Sequence, residues 1–156
     1  MSQSTFVSNA SPLIAFERLG QLDLLHQLTT TVHIPSAVRR EVFGVRPAPN
    51  WIAEHPISQP LSSLPLSPRL GIGEREAIAL ALELQPCHLL VDDLAARRAA
   101  QALNIPVVGV VGLLILARQK NLLTAIKPHL DALLTADFRI SETVYQLALQ
   151  QVGEET

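Results

Sequence analysis

The stretch His88-Leu89-Leu90-Val91-Asp92-Asp93 decides the fold, because a short and largely apolar run ends there on two consecutive carboxylates. Such a run predicts a buried strand over residues 88–91, and residues 94–103 have the apolar spacing of a helix. The same alternation recurs along the chain, with further strands predicted at 5–8, 31–34 and 106–110. Strands that alternate with helices are typical of an α/β fold with a parallel central sheet.

Capping residues and breakers mark the predicted helices. The first helix is predicted to begin at Ser11 as N-cap, with Pro12 at its first position, and Gly20 separates it from a second helix. Ser141 is a suitable cap for the last helix. The remaining helices are predicted to begin at Pro35-Ser36 and at Gly112, to extend from Glu74 to about Leu84, and to cover 122–134 and 142–152.

Length and composition predict a single domain over residues 1–156. Hydrophobic residues make up 48% of the chain and charged residues 17%, which is enough apolar material to cover both faces of a sheet. Residues 44–70 hold six of the eleven prolines and show little periodicity. We therefore interpret them as an irregular, proline-rich excursion within that domain rather than as a linker.

Several classes of protein are disfavoured. The formal net charge of −2 argues against a strongly basic nucleic-acid scaffold, and the one cysteine, Cys87, cannot form an internal disulfide. The five histidines have neither zinc-like nor triad-like spacing, and no glycine-rich phosphate-binding motif is present. The longest uncharged stretch, 103–117, is too short and too interrupted for a membrane helix, and no signal peptide is evident, so a cytoplasmic protein is expected.

Oxygen-bearing side chains lie where predicted strands end or predicted helices begin. Asn9 follows the first strand, and Asp92 and Asp93 follow the strand over residues 88–91. In an open α/β sheet such ends meet at one edge, where ligands bind. Glu74 lies in the first turn of its helix, and Glu41 lies on a helical stripe that we expect to be buried. Because Mg²⁺ and Mn²⁺ prefer oxygen ligands, the pattern predicts a divalent metal site at this edge.

Each of these carboxylates also has a purely structural interpretation. Glu74 in a first turn stabilises its helix through the macrodipole. Asp92 or Asp93 could cap the helix that begins at Leu94, although two consecutive carboxylates exceed what one cap requires. Glu41 could pair with a neighbouring arginine.

Five stretches, each of them weak by itself, have a specific order and spacing. They are Val7-Ser8-Asn9-Ala10-Ser11-Pro12-Leu13-Ile14; Ile34-Pro35-Ser36-Ala37-Val38 with Glu41; Leu70-Gly71-Ile72-Gly73-Glu74-Arg75-Glu76-Ala77-Ile78; Leu89-Leu90-Val91-Asp92-Asp93 with Ala96-Arg97; and Phe138-Arg139-Ile140-Ser141. Through these stretches, nearly the whole chain resembles the PIN-domain ribonucleases (PilT N-terminus), in particular the DUF3368 type that is related to the VapC toxins.

The resemblance implies a three-layer α/β/α sandwich with a central parallel sheet. It also implies a metal-dependent endoribonuclease that hydrolyses RNA phosphodiester bonds with Mg²⁺ or Mn²⁺, as the toxin of a toxin–antitoxin pair, with a cognate antitoxin and a homodimeric state. By resemblance, Glu41, Glu74 and Asp93 take the metal-binding and catalytic roles, and Asp92 is a further metal ligand. Ser11 orients the substrate or only caps its helix.

The chain departs from the family pattern at Asn9, where active PIN nucleases usually place an aspartate. An amide oxygen still ligates a metal, but it brings no charge. The alternative to an active ribonuclease is therefore a PIN-fold module that has lost catalysis and binds RNA or a partner protein. A phospho-accepting receiver domain is disfavoured, because its acidic pair after the first strand is missing.

Overall fold

A computed structural model describes residues 4–155, and these residues form five strands, eight α-helices and one short 3₁₀ helix. The strands are β1 (Phe6–Ser8), β2 (Val32–Ile34), β3 (Ile52–Glu54), β4 (His88–Leu90) and β5 (Val107–Val108). The helices are α1 (Ala10–Arg18), α2 (Leu22–Thr29), α3 (Ser36–Phe43), α4 (Ile72–Glu83), α5 (Leu94–Ala102), α6 (Val110–Gln119), α7 (Lys127–Thr135) and α8 (Glu142–Gln151), and the 3₁₀ helix is Leu61–Ser63.

All five strands are parallel, in the order β3-β2-β1-β4-β5. Successive side chains of a strand point to opposite faces of a sheet. Val7 and Ser8 of β1 are both fully buried, as are Leu89 and Leu90 of β4, so both faces of the sheet centre are covered. The predicted three-layer α/β/α fold is confirmed. Within the described part of the chain the longest helix has 12 residues, and no helix is long and apolar enough to span a membrane.

The first helix begins earlier than predicted. Its N-cap is Asn9, and Pro12 is the third residue of α1 rather than the first. The reason lies in the sheet, because the backbone N–H of Asn9 still donates a hydrogen bond to the Leu90 carbonyl at 3.0 Å. The chain therefore turns directly from β1 into α1, and the predicted cap at Ser11 was wrong.

The proline-rich segment 44–70 is more regular than predicted. It contains β3, which pairs in parallel with β2 at one edge of the sheet. A three-residue edge strand has too few positions to show an alternating pattern, which explains why periodicity missed it. The predicted helix over 122–134 is also shorter, because α7 begins only at Lys127.

Two imidazoles meet beside the β2–β3 pair. His33 Nδ1 lies 2.8 Å from His55 Nε2, and the ring centroids are 4.7 Å apart. Burial lowers the pKa of His33, and the neighbouring His55 lowers that pKa further. The neutral form of His33 is therefore favoured in the folded chain.

The lowered pKa of His33 predicts acid sensitivity. Between the folded pKa and the unfolded value of about 6.5, the unfolded chain binds more protons, so the free energy of unfolding falls as the pH falls through this window. Above the window the effect vanishes. We expect urea unfolding at pH about 7.5 and about 5.5 to show a larger loss of stability for the wild type than for His33→Gln. Equal losses in the two proteins would contradict this explanation.

Candidate active site

The carboxyl ends of β1 and β4 lie side by side where the strand order reverses. The chain proceeds from β1 to β2 on one side, and β4 later pairs on the other side of β1. Such a switch point is the usual ligand site of an open α/β sheet. Asn9 follows β1 there and is buried, with 5% of the residue exposed. The side chain makes no capping hydrogen bond to α1, so the amide is not committed to that helix.

Two further carboxylates, Glu74 of α4 and Glu41 of α3, lie near Asn9 at the N-terminus of α4. Glu74 closes the first turn of α4, with Oε1 accepting a hydrogen bond from the Gly71 N–H at 2.9 Å. The buried Gly73 leaves room beside it, because a β-carbon there would lie 3.5 Å from Glu41 Oε1 and 3.8 Å from Asn9 Oδ1. The side-chain oxygens of Asn9, which follows β1, and of Glu41 on α3 thus converge over the first turn of α4.

Glu41 is exposed, so the prediction that it lies on a buried stripe was wrong. Val38 and Val42 carry the buried stripe of α3, and Glu41 lies outside it. Glu76 fixes α3 against α4, because its Oε1 accepts a hydrogen bond from the Ala37 N–H at 3.0 Å. This contact holds the helix that carries Glu41 beside the start of α4.

The carboxylates at this edge repel one another. Burial raises the pKa of Glu74, and the Asp93 and Glu41 carboxylates raise it further, while the hydrogen bond from Gly71 acts in the opposite direction. None of the ion pairs among residues 4–155 involves Glu41, Glu74 or Asp93. Carboxylates brought together without a basic partner favour a bound cation.

Asp92 and Asp93 point to different surroundings although they are neighbours in sequence. Asp93 is the N-cap of α5, with Oδ2 accepting a hydrogen bond from the Ala96 N–H at 2.9 Å. Its carboxylate also faces Glu74, whose pKa it raises. The capping interpretation is therefore confirmed for Asp93, and capping does not remove it from the carboxylate cluster.

Asp92 instead faces β5 and α6. Its Oδ1 accepts a hydrogen bond from the Val110 N–H at 2.9 Å, and its Oδ2 is buried without a hydrogen-bond partner. A β-carbon at Gly109 would lie 2.7 Å from both Asp92 Oδ1 and Arg97 Nη1, so only glycine leaves room for them. Burial raises the pKa of Asp92, whereas Val110 N–H and the Arg97 guanidinium lower it.

The structure thus brings together Asn9, Glu41, Glu74 and Asp93, and it places Asp92 on the other side of the β4 end. Ser11 belongs neither to this group of four residues nor to the surroundings of Asp92. It is half-buried in α1 and lines a cavity of about 250 Å³ against α7, together with Ile14 and Leu133.

The donor set suits a hard cation, since all four grouped side chains offer oxygen. Within residues 4–155, no three His, Cys, Asp or Glu side chains are already arranged as a metal site. The grouped residues include an amide and only three carboxylates. Mg²⁺ keeps several waters and binds proteins through one or two carboxylates, so the chemistry of these donors fits this ion.

Three residues that matter for this edge were not singled out from the sequence. Gly109 follows β5 and accommodates Asp92, Glu76 orients α3, and Arg139 faces the same cleft as Asp92. Gly109 lies within the strand predicted over 106–110, and a glycine inside a strand pattern is a signal that could have drawn attention to it. Glu76 carries no such signal, because its partner, Ala37, is distant in sequence.

A parallel α/β sheet with oxygen ligands at the switch point is the arrangement expected of a PIN domain. The family model DUF3368, described as a PIN domain, matches residues 5–154. The chain belongs to the DUF3368 family of PIN domains. No curated protein and no solved structure was found to match it.

The double role of Asp93 predicts different effects for two substitutions. Asp93→Asn keeps a side-chain cap on α5 and removes a charge that faces Glu74, so the free energy of unfolding should equal or exceed that of the wild type. Asp93→Ala loses the cap and should cost about 1 kcal/mol. Urea unfolding at neutral pH measures both. Equal destabilisation by the two variants would show that the cap contributes nothing.

Proposed function

We propose that the protein is a metal-dependent endoribonuclease that hydrolyses RNA phosphodiester bonds. Membership of the PIN family supports a nuclease-type fold. The observation that carries the proposal is the convergence of Asn9, Glu41, Glu74 and Asp93 at the switch point, with three carboxylates that no basic side chain of the described residues pairs.

Mg²⁺ or Mn²⁺ is the proposed cofactor, held by the oxygens of Asn9, Glu41, Glu74 and Asp93. A bound ion of this kind acts as a Lewis acid on the phosphate and lowers the pKa of its water. The carboxylates would hold the ion and balance its charge. Because Asp92 lies beside Arg97 and Val110 instead, its proposed role is to position the chain at the end of β4.

Hydrogen bonds that hold two of the carboxylates, and the helix that carries the third, support a catalytic role. Asp93 is fixed by the first turn of α5, Glu74 by the first turn of α4, and α3 with Glu41 by Glu76. Groups held by helix starts and hydrogen bonds keep their geometry during a reaction, which is what electrostatic catalysis requires.

Asn9 supports a second candidate, a PIN module that has lost catalysis and binds RNA or a partner protein. An amide in place of a carboxylate removes one negative charge from the site, which weakens binding of a hard cation. The amide is nevertheless buried and uncommitted to its helix, and its Oδ1 approaches the same point as Glu41 Oε1. We therefore favour the active nuclease.

The biological setting that we propose is a toxin–antitoxin pair, with this chain as the toxin and as a homodimer. A cognate antitoxin would neutralise the site by inserting arginine or lysine among the carboxylates. Its apolar side chains would contact the surrounding surface. These proposals rest on the family alone.

Cleavage of a labelled single-stranded RNA by the purified protein tests the central proposal. We expect cleavage with Mn²⁺, none with EDTA, and a loss of rate in Asp93→Asn of at least about a hundredfold, the upper end of what an outer-shell substitution costs a metal site. Asp93→Asn keeps the cap on α5, so the loss would not reflect unfolding.

Glu83→Gln is the matched control on α4. Glu83 ends this helix and accepts hydrogen bonds from the Ser58 N–H, remote from the first turn that carries Glu74. This variant should cleave at the wild-type rate. Cleavage of equal rate in Asp93→Asn would indicate a contaminating nuclease. No metal-dependent cleavage by the wild type would favour the module that has lost catalysis.

A further inference from the structure

We propose that a single-stranded RNA segment next to the cleaved phosphate binds in the cleft beyond β5, where Arg97 and Arg139 contact its phosphates. This inference rests on the proposed nuclease function and adds a substrate-binding site to it. The cleft has a volume of about 540 Å³, within the range of about 300 to 1,000 Å³ that small-molecule sites occupy. One nucleotide is therefore of suitable size.

The cleft adjoins the carboxylate cluster directly. Asp92 lines the cleft, while the next residue, Asp93, faces Glu74 in the cluster. Adjacent Cα atoms are about 3.8 Å apart, so the two sites share a wall one residue thick. An RNA strand whose reacting phosphate lies at Asp93 therefore places its next nucleotide in the cleft.

The charges in the cleft favour a polyanion. Arg97 and Arg139 both line it, and neither takes part in an ion pair within residues 4–155. Asp92 is the acidic side chain on this wall, and the Val110 N–H already holds one of its oxygens. The N-terminus of α6 also opens here, which adds partial positive charge.

Apolar side chains complete the site. Leu94 begins α5 directly after Asp93 and is 58% exposed, and Val144 of α8 is 43% exposed. Phe138 and Ile140 line the same cleft. Apolar and aromatic surfaces of this kind receive ribose and unstacked bases, and unstacked bases are a feature of single strands.

The same cleft would also admit a peptide, but two observations favour RNA. Arg97 and Arg139 line the cleft without an ion pair among the described residues. Asp92 of the cleft wall directly precedes Asp93 of the carboxylate cluster, so the phosphate backbone of an RNA bound at the cluster would lie near the cleft. In a single-stranded RNA, the phosphates would contact the arginines and the bases would contact the apolar side chains.

The test is binding of a short fluorescent single-stranded RNA by anisotropy, with EDTA present so that no metal-dependent cleavage occurs. Arg139→Gln and Arg97→Gln should each weaken affinity about tenfold, as expected for loss of a hydrogen bond to a charged group, and should lower the salt dependence of binding.

Arg139 is exposed and makes no hydrogen bond in the described structure, so its variant should fold normally. Arg98→Gln is the matched control, because Arg98 is the exposed neighbour of Arg97 on α5 and lies outside the cleft.

The cleavage assay with Mn²⁺ separates this inference from the proposed function. We expect a raised KM with little change in kcat for Arg139→Gln. Wild-type RNA affinity and KM in both variants would overturn the inference, leave the nuclease intact and point to a protein partner as the occupant of the cleft. A wild-type protein that neither binds nor cleaves RNA would overturn both proposals.

Discussion

The hydrogen bond from the Asn9 N–H to the Leu90 carbonyl holds together the ends of the two central strands, and the candidate site depends on it. It extends the β1–β4 pairing by one residue, to the position where the strand order reverses. Asn9 and the Asp92-Asp93 pair thereby become neighbours although more than eighty positions separate them in sequence. The helices that begin directly after them, α1 and α5, fix the directions of the side chains.

Two consecutive aspartates at the end of β4 divide the edge into two regions. Asp93 faces the carboxylates of α3 and α4, where like charges gather and burial raises the pKa of Glu74. Asp92 faces the start of α6, where the Val110 N–H and the Arg97 guanidinium lower its pKa against the larger effect of burial. A carboxylate cluster without a basic partner therefore lies beside a cleft lined by two arginines. The first favours a cation, and the second presents arginines to an anion, which together suit a phosphodiester.

Much of this arrangement follows from patterns that are local in the chain. The burial of β1 and β4 and the position of Asn9 and Asp93 at the strand ends are readable from short apolar runs. The exposure of Glu41 is not, because the edge of a helical stripe depends on how α3 packs against α4. The direction of Asp92 is not readable either, since only the distant Gly109 and Val110 determine it. Whether the oxygens are used to bind a metal is a question of chemistry that spacing alone does not answer.

Calorimetric titration of Mn²⁺ into the wild type, Asn9→Asp and Asp93→Asn tests the metal site most directly. The account predicts binding by the wild type, tighter binding by Asn9→Asp because a carboxylate adds a charge to the site, and weaker binding by Asp93→Asn. Equal affinity in all three proteins would show that neither residue contacts the ion. Absence of binding by the wild type at millimolar Mn²⁺ would contradict the central claim.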